Sequence, residues 1–92
     1  MKVIRKSAQS GTLESCDIMI MLSPAAEGEG ISVSLDSPTK KQYGARIKEV
    51  IGEALAQAGV KDAKVYANDR GALDCTIAAR METVIRRAIS EE

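Results

Sequence analysis

The sequence predicts an α+β fold in which two helices pack on one face of a small, mainly antiparallel sheet, in the order β-β-β-α-β-α. Short apolar or alternating runs at residues 17–22, 31–36 and 63–68 are typical of strands. Apolar residues at spacings of three and four predict one helix before the last of these strands and a second from Ala72 to Ser90. The chain of 92 residues fits a single domain, residues 1–92.

The strand candidates differ in their patterns. Residues 2–9 (K-V-I-R-K-S-A-Q) could add a strand at the amino terminus. The run at 17–22 (D-I-M-I-M-L) is apolar on both faces, as in a strand that is covered on both sides or faces a partner. Its Met19 and Met21 could line a partner groove or pack in the core or on a sheet face. The run at 31–36 (I-S-V-S-L-D) alternates, and its apolar side chains are expected to face the core. The polar, glycine-rich loop between these two runs predicts a β-hairpin.

Serine followed by proline marks the start of the first helix. Ser37 is a favoured N-cap, and Pro38 is tolerated at the first helical position. Gly59 is expected to end the helix in a left-handed conformation, with Val60 packing back onto it. One apolar stripe is predicted along this helix: Tyr43, Ile47, Val50, Ile51, Ala54, Leu55 and Ala58.

A turn at residues 68–71 (N-D-R-G) precedes the second helix. Cys75 is expected in or near the core. The apolar side of this helix is predicted to consist of Leu73, Ile77, Met81, Val84, Ile85 and Ala88.

Composition narrows the function classes. Basic and acidic residues each number 13, and a formal net charge of zero argues against nucleic acid as the main partner. The cluster Lys2, Arg5 and Lys6 is a basic patch or a solvated strand edge. The chain has no histidine, so the commonest general base and metal ligand is missing. No metal site is predicted, because two scattered cysteines do not form a zinc site. Without a leader or an apolar span, a cytoplasmic protein that does not enter a membrane is expected.

The stretch G-T-L-E-S-C-D at residues 11–17 raises the question of chemistry. Ser15 has no histidine to activate it, so self-contained hydrolysis is disfavoured and no catalytic residue is predicted. Glu14 and Asp17 could be an acid/base pair, but solvated charges beside a turn are the preferred interpretation. Cys16 could be a reactive thiol or a small side chain buried at a strand start, and a disulfide with Cys75 is not expected. Ser15 thus remains an exposed hydroxyl that another protein could modify.

Three segments resemble the acyl carrier protein (gamma subunit) of citrate lyase. They are G-T-L-E-S-C-D at 11–17, K-K-Q-Y-G at 40–44 and D-R-G-A-L-D-C-T-I-A-A-R at 69–80. The similarity spans nearly the whole chain, with the same element order.

This resemblance implies that Ser15 carries 2'-(5''-phosphoribosyl)-3'-dephospho-CoA through a phosphodiester, attached by a dedicated prosthetic-group transferase. The thiol of the group would hold acetyl and citryl thioesters. The implied partners are the alpha subunit, an acyl transferase, and the beta subunit, a citryl lyase. The complex cleaves citrate to acetate and oxaloacetate in citrate fermentation, and the carrier itself is not an enzyme.

The sequence departs from the family at two places and leaves other functions open. Cys16 stands where the family has a small residue of varying type, and the chain ends at Glu92, short of the tail of some relatives. The 69–80 segment could serve turn geometry or docking.

Malonate decarboxylase uses a similar carrier, although L-E-S and G-A-L-D-C favour citrate lyase. An interaction module without a prosthetic group is the third reading. Four-helix phosphopantetheine carriers are disfavoured, because here Ser15 precedes a strand.

Overall fold

The computed structural model describes residues 3–89 and contains four strands and two helices in the predicted order. The first strand, Ala8–Ser10, overlaps the predicted run at 2–9 only at the last two residues of that run. Lys2 and Ser90, which were assigned to the basic cluster and to the second helix, lie outside the described residues. The elements are β1 Ala8–Ser10, β2 Ile18–Ser23, β3 Ile31–Asp36, α1 Lys40–Gln57, β4 Ala63–Asp69 and α2 Asp74–Ile89.

The four strands form one sheet with the order β1-β2-β4-β3. The pairs β1–β2 and β2–β4 are antiparallel and β3–β4 is parallel, which confirms a mainly antiparallel sheet. The hairpin predicted between residues 17–22 and 31–36 is wrong, because β4 lies between the two strands. Helix α1 returns the chain so that β4 runs beside β3, and β2 pairs with the other edge of β4. The loop at 24–30 is long enough to pass two strand spacings, about 10 Å.

Both helices cover one face of the sheet, as predicted. In β2, Ile18, Ile20 and Leu22 are fully buried, and they alternate with side chains of the opposite face. There Met21 lies opposite Tyr66, and both are partly exposed. The sheet-face interpretation of the methionines is therefore confirmed, and within residues 3–89 the helices cover only the opposite face of β2.

Strand β3 lies at an edge of the sheet, and its apolar side chains are less buried than predicted. Only Leu35 is buried, while Val33 is half-buried and Ile31 is exposed. Alternation identified the strand and its inward face, but not how far the helices extend over this edge. No helix within residues 3–89 is long and apolar enough to cross a membrane.

The ends of α1 agree with the sequence in different degrees. The helix begins at Lys40 and its N-cap is Thr39, so the prediction of Ser37 as N-cap and Pro38 as the first helical residue is wrong by two positions. The side chain of Ser37 instead accepts a hydrogen bond from the Thr39 amide at 3.2 Å, in the turn before the helix. At the other end Gly59 has φ 76, as predicted. The amide of Val60 donates to the carbonyl of Leu55 and that of Gly59 to Ala56, both at 3.0 Å, which completes a Schellman motif.

The apolar stripes are confirmed along the middle of both helices but are wrong at their first turns. Tyr43 is 57% exposed and Leu73 is 69% exposed, although both were assigned to the apolar sides of the helices. Helix α2 begins at Asp74, so Leu73 lies in the connection before it, where helical spacing no longer sets its direction. Cys75, expected in or near the core, is exposed.

Candidate functional site

Ser15 lies in the loop of residues 11–17 that joins β1 to β2. Its side chain is exposed, and its hydroxyl forms no hydrogen bond with any residue from 3 to 89. The loop turns at this point: the amide of Asp17 donates to the carbonyl of Glu14 at 3.2 Å, and Cys16 has φ 64. The hydroxyl is therefore accessible to another protein.

Side chains within the loop fix its shape. The hydroxyl of Thr12 donates to Oδ2 of Asp17 at 2.6 Å and accepts the amide of Glu14 at 3.2 Å. The other carboxylate oxygen of Asp17 accepts the amide of Ile18 at 2.7 Å. Both ends of the turn are thus tied to one carboxylate, so the position of Ser15 is defined by its own neighbours.

An ion pair joins this loop to α2. Arg80 donates from Nε to Oδ1 of Asp17 at 3.0 Å and from Nη2 to Oδ2 at 2.8 Å. The Asp17 side chain is 13% exposed and that of Arg80 is 39% exposed. Hydrogen bonds from Arg80 and then Thr12 hold the pKa of Asp17 well below its usual range. Asp17 likewise raises the pKa of Arg80. Asp17 is therefore permanently ionised at neutral pH and unsuited to act as a general base.

The loop is also paired with the connection between β4 and α2. The amide of Cys16 donates to the carbonyl of Arg70 at 2.8 Å, and the amide of Arg70 donates to the carbonyl of Asp17 at 2.9 Å. Gly11 permits close contact on the other side: it has φ +84, and a Cβ there would lie 1.8 Å from the carbonyl oxygen of Ile18. The backbone around Ser15 is thus held from two directions.

Asp69 connects this region to the start of α1. Its side chain is almost fully buried; Oδ1 accepts the amide of Ala72 at 3.0 Å, and Oδ2 accepts the hydroxyl of Ser37 at 2.9 Å. Further along, Arg46 of α1 donates from Nε to Asp74 at 2.9 Å, and this pair raises the pKa of Arg46. The 69–80 segment therefore has a structural role at both ends, since Asp69 holds α1 and Arg80 holds the loop of Ser15.

A groove of about 570 Å³ opens between the first turns of α1 and the β4–α2 connection. We call it the Tyr43–Leu73 groove. It is lined by Thr39, Tyr43, Arg46, Ile47, Asp69, Gly71, Ala72, Leu73, Asp74 and Cys75. The three segments 11–17, 40–44 and 69–80, which are far apart in the chain, thus meet at one end of the fold.

The sequence interpretation of the loop needs two corrections. Asp17 is not a solvated charge, because Arg80 and Thr12 satisfy it; Glu14 is exposed, as expected. Cys16, for which burial at a strand start was one of two interpretations, is exposed and lies in the turn before β2 with φ 64. Sequence reasoning missed Arg80 and Thr12. A hydroxyl two residues before Glu14 is a known turn signal and could have indicated Thr12, whereas no local pattern pairs Arg80 with Asp17.

The described residues contain no self-sufficient reactive centre. No group of three or more possible metal ligands occurs within residues 3–89, and the chain has no histidine. The carboxylate of Asp17, two residues after Ser15, already forms an ion pair with Arg80. What the geometry offers is an exposed hydroxyl on a well-anchored loop beside an open groove.

Comparisons with known proteins identify the class. Residues 5–88 match the family model of acyl carrier proteins described as malonate decarboxylase delta subunit (MdcD). A chain in the crystal structure of a Pseudomonas malonate decarboxylase hetero-tetramer in complex with malonate has the same fold. The TM-score is 0.78 at 19% identity, covering 95% of this chain and 88% of that one. The molecule is an acyl carrier protein, which is not itself catalytic.

Curated relatives narrow the class further. The citrate lyase acyl carrier protein of Streptococcus mutans serotype c is 48% identical over 89 residues, which cover 97% of this chain and 86% of the relative. That of Klebsiella pneumoniae subsp. pneumoniae is 46% identical over 84 residues, covering 91% and 86%. The chain belongs to the citrate lyase acyl carrier protein family, which confirms the resemblance found in the sequence.

Proposed function

We propose that the chain is the acyl carrier subunit of citrate lyase in the cytoplasm, with Ser15 as the attachment residue. The group attached through a phosphodiester is 2'-(5''-phosphoribosyl)-3'-dephospho-CoA, supplied by a prosthetic-group transferase. The observation that carries the proposal is the exposed, unbonded hydroxyl of Ser15 on a loop fixed by Asp17 and Arg80. When bound, the group supplies the thiol that holds the acyl chain as a thioester.

The residues of this chain fit such a group. Covalent attachment requires an accessible hydroxyl and no base of its own, because the transferase acts on it. Among the described residues nothing covers Ser15, and the loop would not need to rearrange to expose it. The bonds of Thr12, Asp17 and Arg80 keep the anchor at a constant position while the arm moves.

Tethering explains why a small non-catalytic domain is useful. An arm fixed at Ser15 raises the local concentration of its acyl group at the alpha and beta subunits to about the millimolar range, without tight contact. The chain therefore has to position the arm and to dock, while the larger subunits transfer and cleave. The near-zero net charge suits a subunit that associates with others.

The test is a reconstituted complex with the wild-type chain and with Ser15→Ala. We expect the wild-type complex to cleave citrate and the Ser15→Ala complex to assemble but to lack activity. Ser34→Ala, which removes an exposed hydroxyl from β3, is the matched control and should be active. Full citrate cleavage with Ser15→Ala would exclude the attachment role and favour an interaction module.

A second carrier function, in malonate decarboxylase, is favoured by the description of the matching family model and by the similar fold of the Pseudomonas chain. The 46–48% identity to citrate lyase carriers favours the first function. Assaying the same complex, purified with its natural partners, on citrate and on malonate separates the two. Malonate decarboxylation without citrate cleavage would select the alternative.

A further inference from the structure

Two large apolar side chains that line the Tyr43–Leu73 groove are exposed, one from each of the two segments that form it. Tyr43, in the first turn of α1, is 57% exposed, and Leu73, before α2, is 69% exposed. Their neighbours Ile47 and Ile77 are buried. The groove volume of about 570 Å³ lies within the range of small-molecule sites, about 300–1,000 Å³. A groove lined by both an aromatic ring and an aliphatic side chain suits a flat ring system.

The groove is continuous with the loop of Ser15. The amide of Cys16 and the carbonyl of Arg70 are 2.8 Å apart, and Gly71, the next residue, lines the groove. The path from the Cα of Ser15 to that of Gly71 crosses this one hydrogen bond, so the two atoms are separated by roughly 10 Å or less. A group attached to Ser15 therefore begins beside the groove.

Charge at this end of the fold also matches the attached group. Arg70 is exposed between Ser15 and the groove, and no carboxylate pairs with it among residues 3–89. It can attract the phosphates of the arm. Inside the groove the carboxylate of Asp74, held by Arg46, is an acceptor that can bind the exocyclic amine of adenine.

We propose that the Tyr43–Leu73 groove is a resting site for the adenine ring of the prosthetic arm attached to Ser15. This inference rests on the proposed function. One phosphoribosyl unit separates the adenosine from Ser15, which places the base, and not the thiol, at the groove. When the nucleotide is bound in the groove, the rest of the arm extends toward the partner subunits from a fixed starting point.

Cys75 provides a direct readout, because it is exposed and lines the groove. In a Cys16→Ser background, iodoacetamide alkylation of Cys75 is measured by peptide mapping in apo protein and in protein whose loading is verified by intact mass. We expect loading to slow alkylation of Cys75 at least threefold. Tyr43→Ala should abolish this protection, whereas Tyr66→Ala, on the opposite face of the sheet, should retain it.

Binding of free nucleotide tests the groove without any loading. Dephospho-CoA added to the apo protein is expected to shift the NMR amide signals of Tyr43 and Leu73, while pantetheine, which lacks the nucleotide, is expected to leave them unchanged. Three results would overturn the proposal. Cys75 could be alkylated equally fast in apo and loaded protein, or pantetheine alone could shift the amide signals. Cys75 could also be protected only after partner subunits are added. The last result would make the groove a protein interface. A missing adduct on Ser15 would instead contradict the proposed function, and the dephospho-CoA titration would still test the groove.

Discussion

The guanidinium of Arg80 forms two hydrogen bonds with the carboxylate of Asp17, at 3.0 and 2.8 Å. Asp17 is the last residue of the segment that contains Ser15, and Arg80 is the last residue of the 69–80 segment. One ion pair therefore links two of the three segments that carry the family resemblance. It explains why residues far from Ser15 in the chain bear on the position of that serine.

Replacing Asp17 by asparagine is predicted to lower the free energy of unfolding by about 1–2 kcal/mol at pH 7, since charged hydrogen bonds to Arg80 are lost. The folded-state pKa of Asp17 lies below its usual 3.8. The ion pair therefore stabilises the folded state fully at pH values above 3.8. This stabilisation is lost as the pH falls through the folded-state pKa of Asp17. Urea unfolding at several pH values measures this. Glu14→Gln is the control, and an equal effect of both variants would contradict the prediction.

Gly11→Ala and Gly28→Ala form a matched pair, because both glycines have a positive φ, +84 and +87. Alanine at 28 meets nothing within 4 Å, so only the left-handed backbone is penalised, by about 1–2 kcal/mol. At 11 the new Cβ would lie 1.8 Å from the Ile18 carbonyl oxygen, adding about 1–3 kcal/mol. Thermal unfolding compares them, and equal losses would show that the close approach at Gly11 is unimportant.

Leu73→Ala should change the free energy of unfolding by no more than about 0.5 kcal/mol, because this side chain is 69% exposed. Leu55→Ala, the same change at a side chain that is 1% exposed, should cost about 2–5 kcal/mol. Chemical denaturation of the two variants tests the correction at Leu73. A large loss of unfolding free energy in Leu73→Ala would contradict the prediction, because it would show that this side chain is buried.

Both cysteines are predicted to react in the folded protein, because Cys16 and Cys75 are free and exposed. Titration of the apo chain with Ellman's reagent, without denaturant, should release two equivalents. Cys16→Ser and Cys75→Ser should each leave one equivalent. A thiol that reacts only after unfolding would support the burial first expected from the sequence.

Periodicity predicted the elements well because burial by the sheet and helices follows local spacing. The middle of the α1 stripe, the Schellman end at Gly59 and the inward face of β3 all depend on neighbours within a few residues. Strand pairing did not follow in the same way. The alternating pattern of residues 31–36 would be the same whether β2 or β4 were the neighbouring strand. The pattern therefore could not show that β3 pairs with β4, and the predicted hairpin with β2 was wrong.

The candidate site was likewise predictable from the sequence only where it depends on neighbouring residues. The exposure of Ser15 follows from its turn-rich neighbourhood, and its identity as a candidate came from the resemblance. The pairing of Asp17 with Arg80, and the groove that Tyr43 and Leu73 both line, involve residues far apart in sequence. Only the folded chain brings them together.

The most direct test of the central claim is the mass of the chain made together with its prosthetic-group transferase. We predict an added mass equal to that of phosphoribosyl-dephospho-CoA in phosphodiester linkage, mapped by peptide fragmentation to Ser15. The Ser15→Ala chain should be folded and unmodified, and the Ser34→Ala chain should be modified. An unmodified wild-type chain, or an adduct on any residue other than Ser15, would contradict the account.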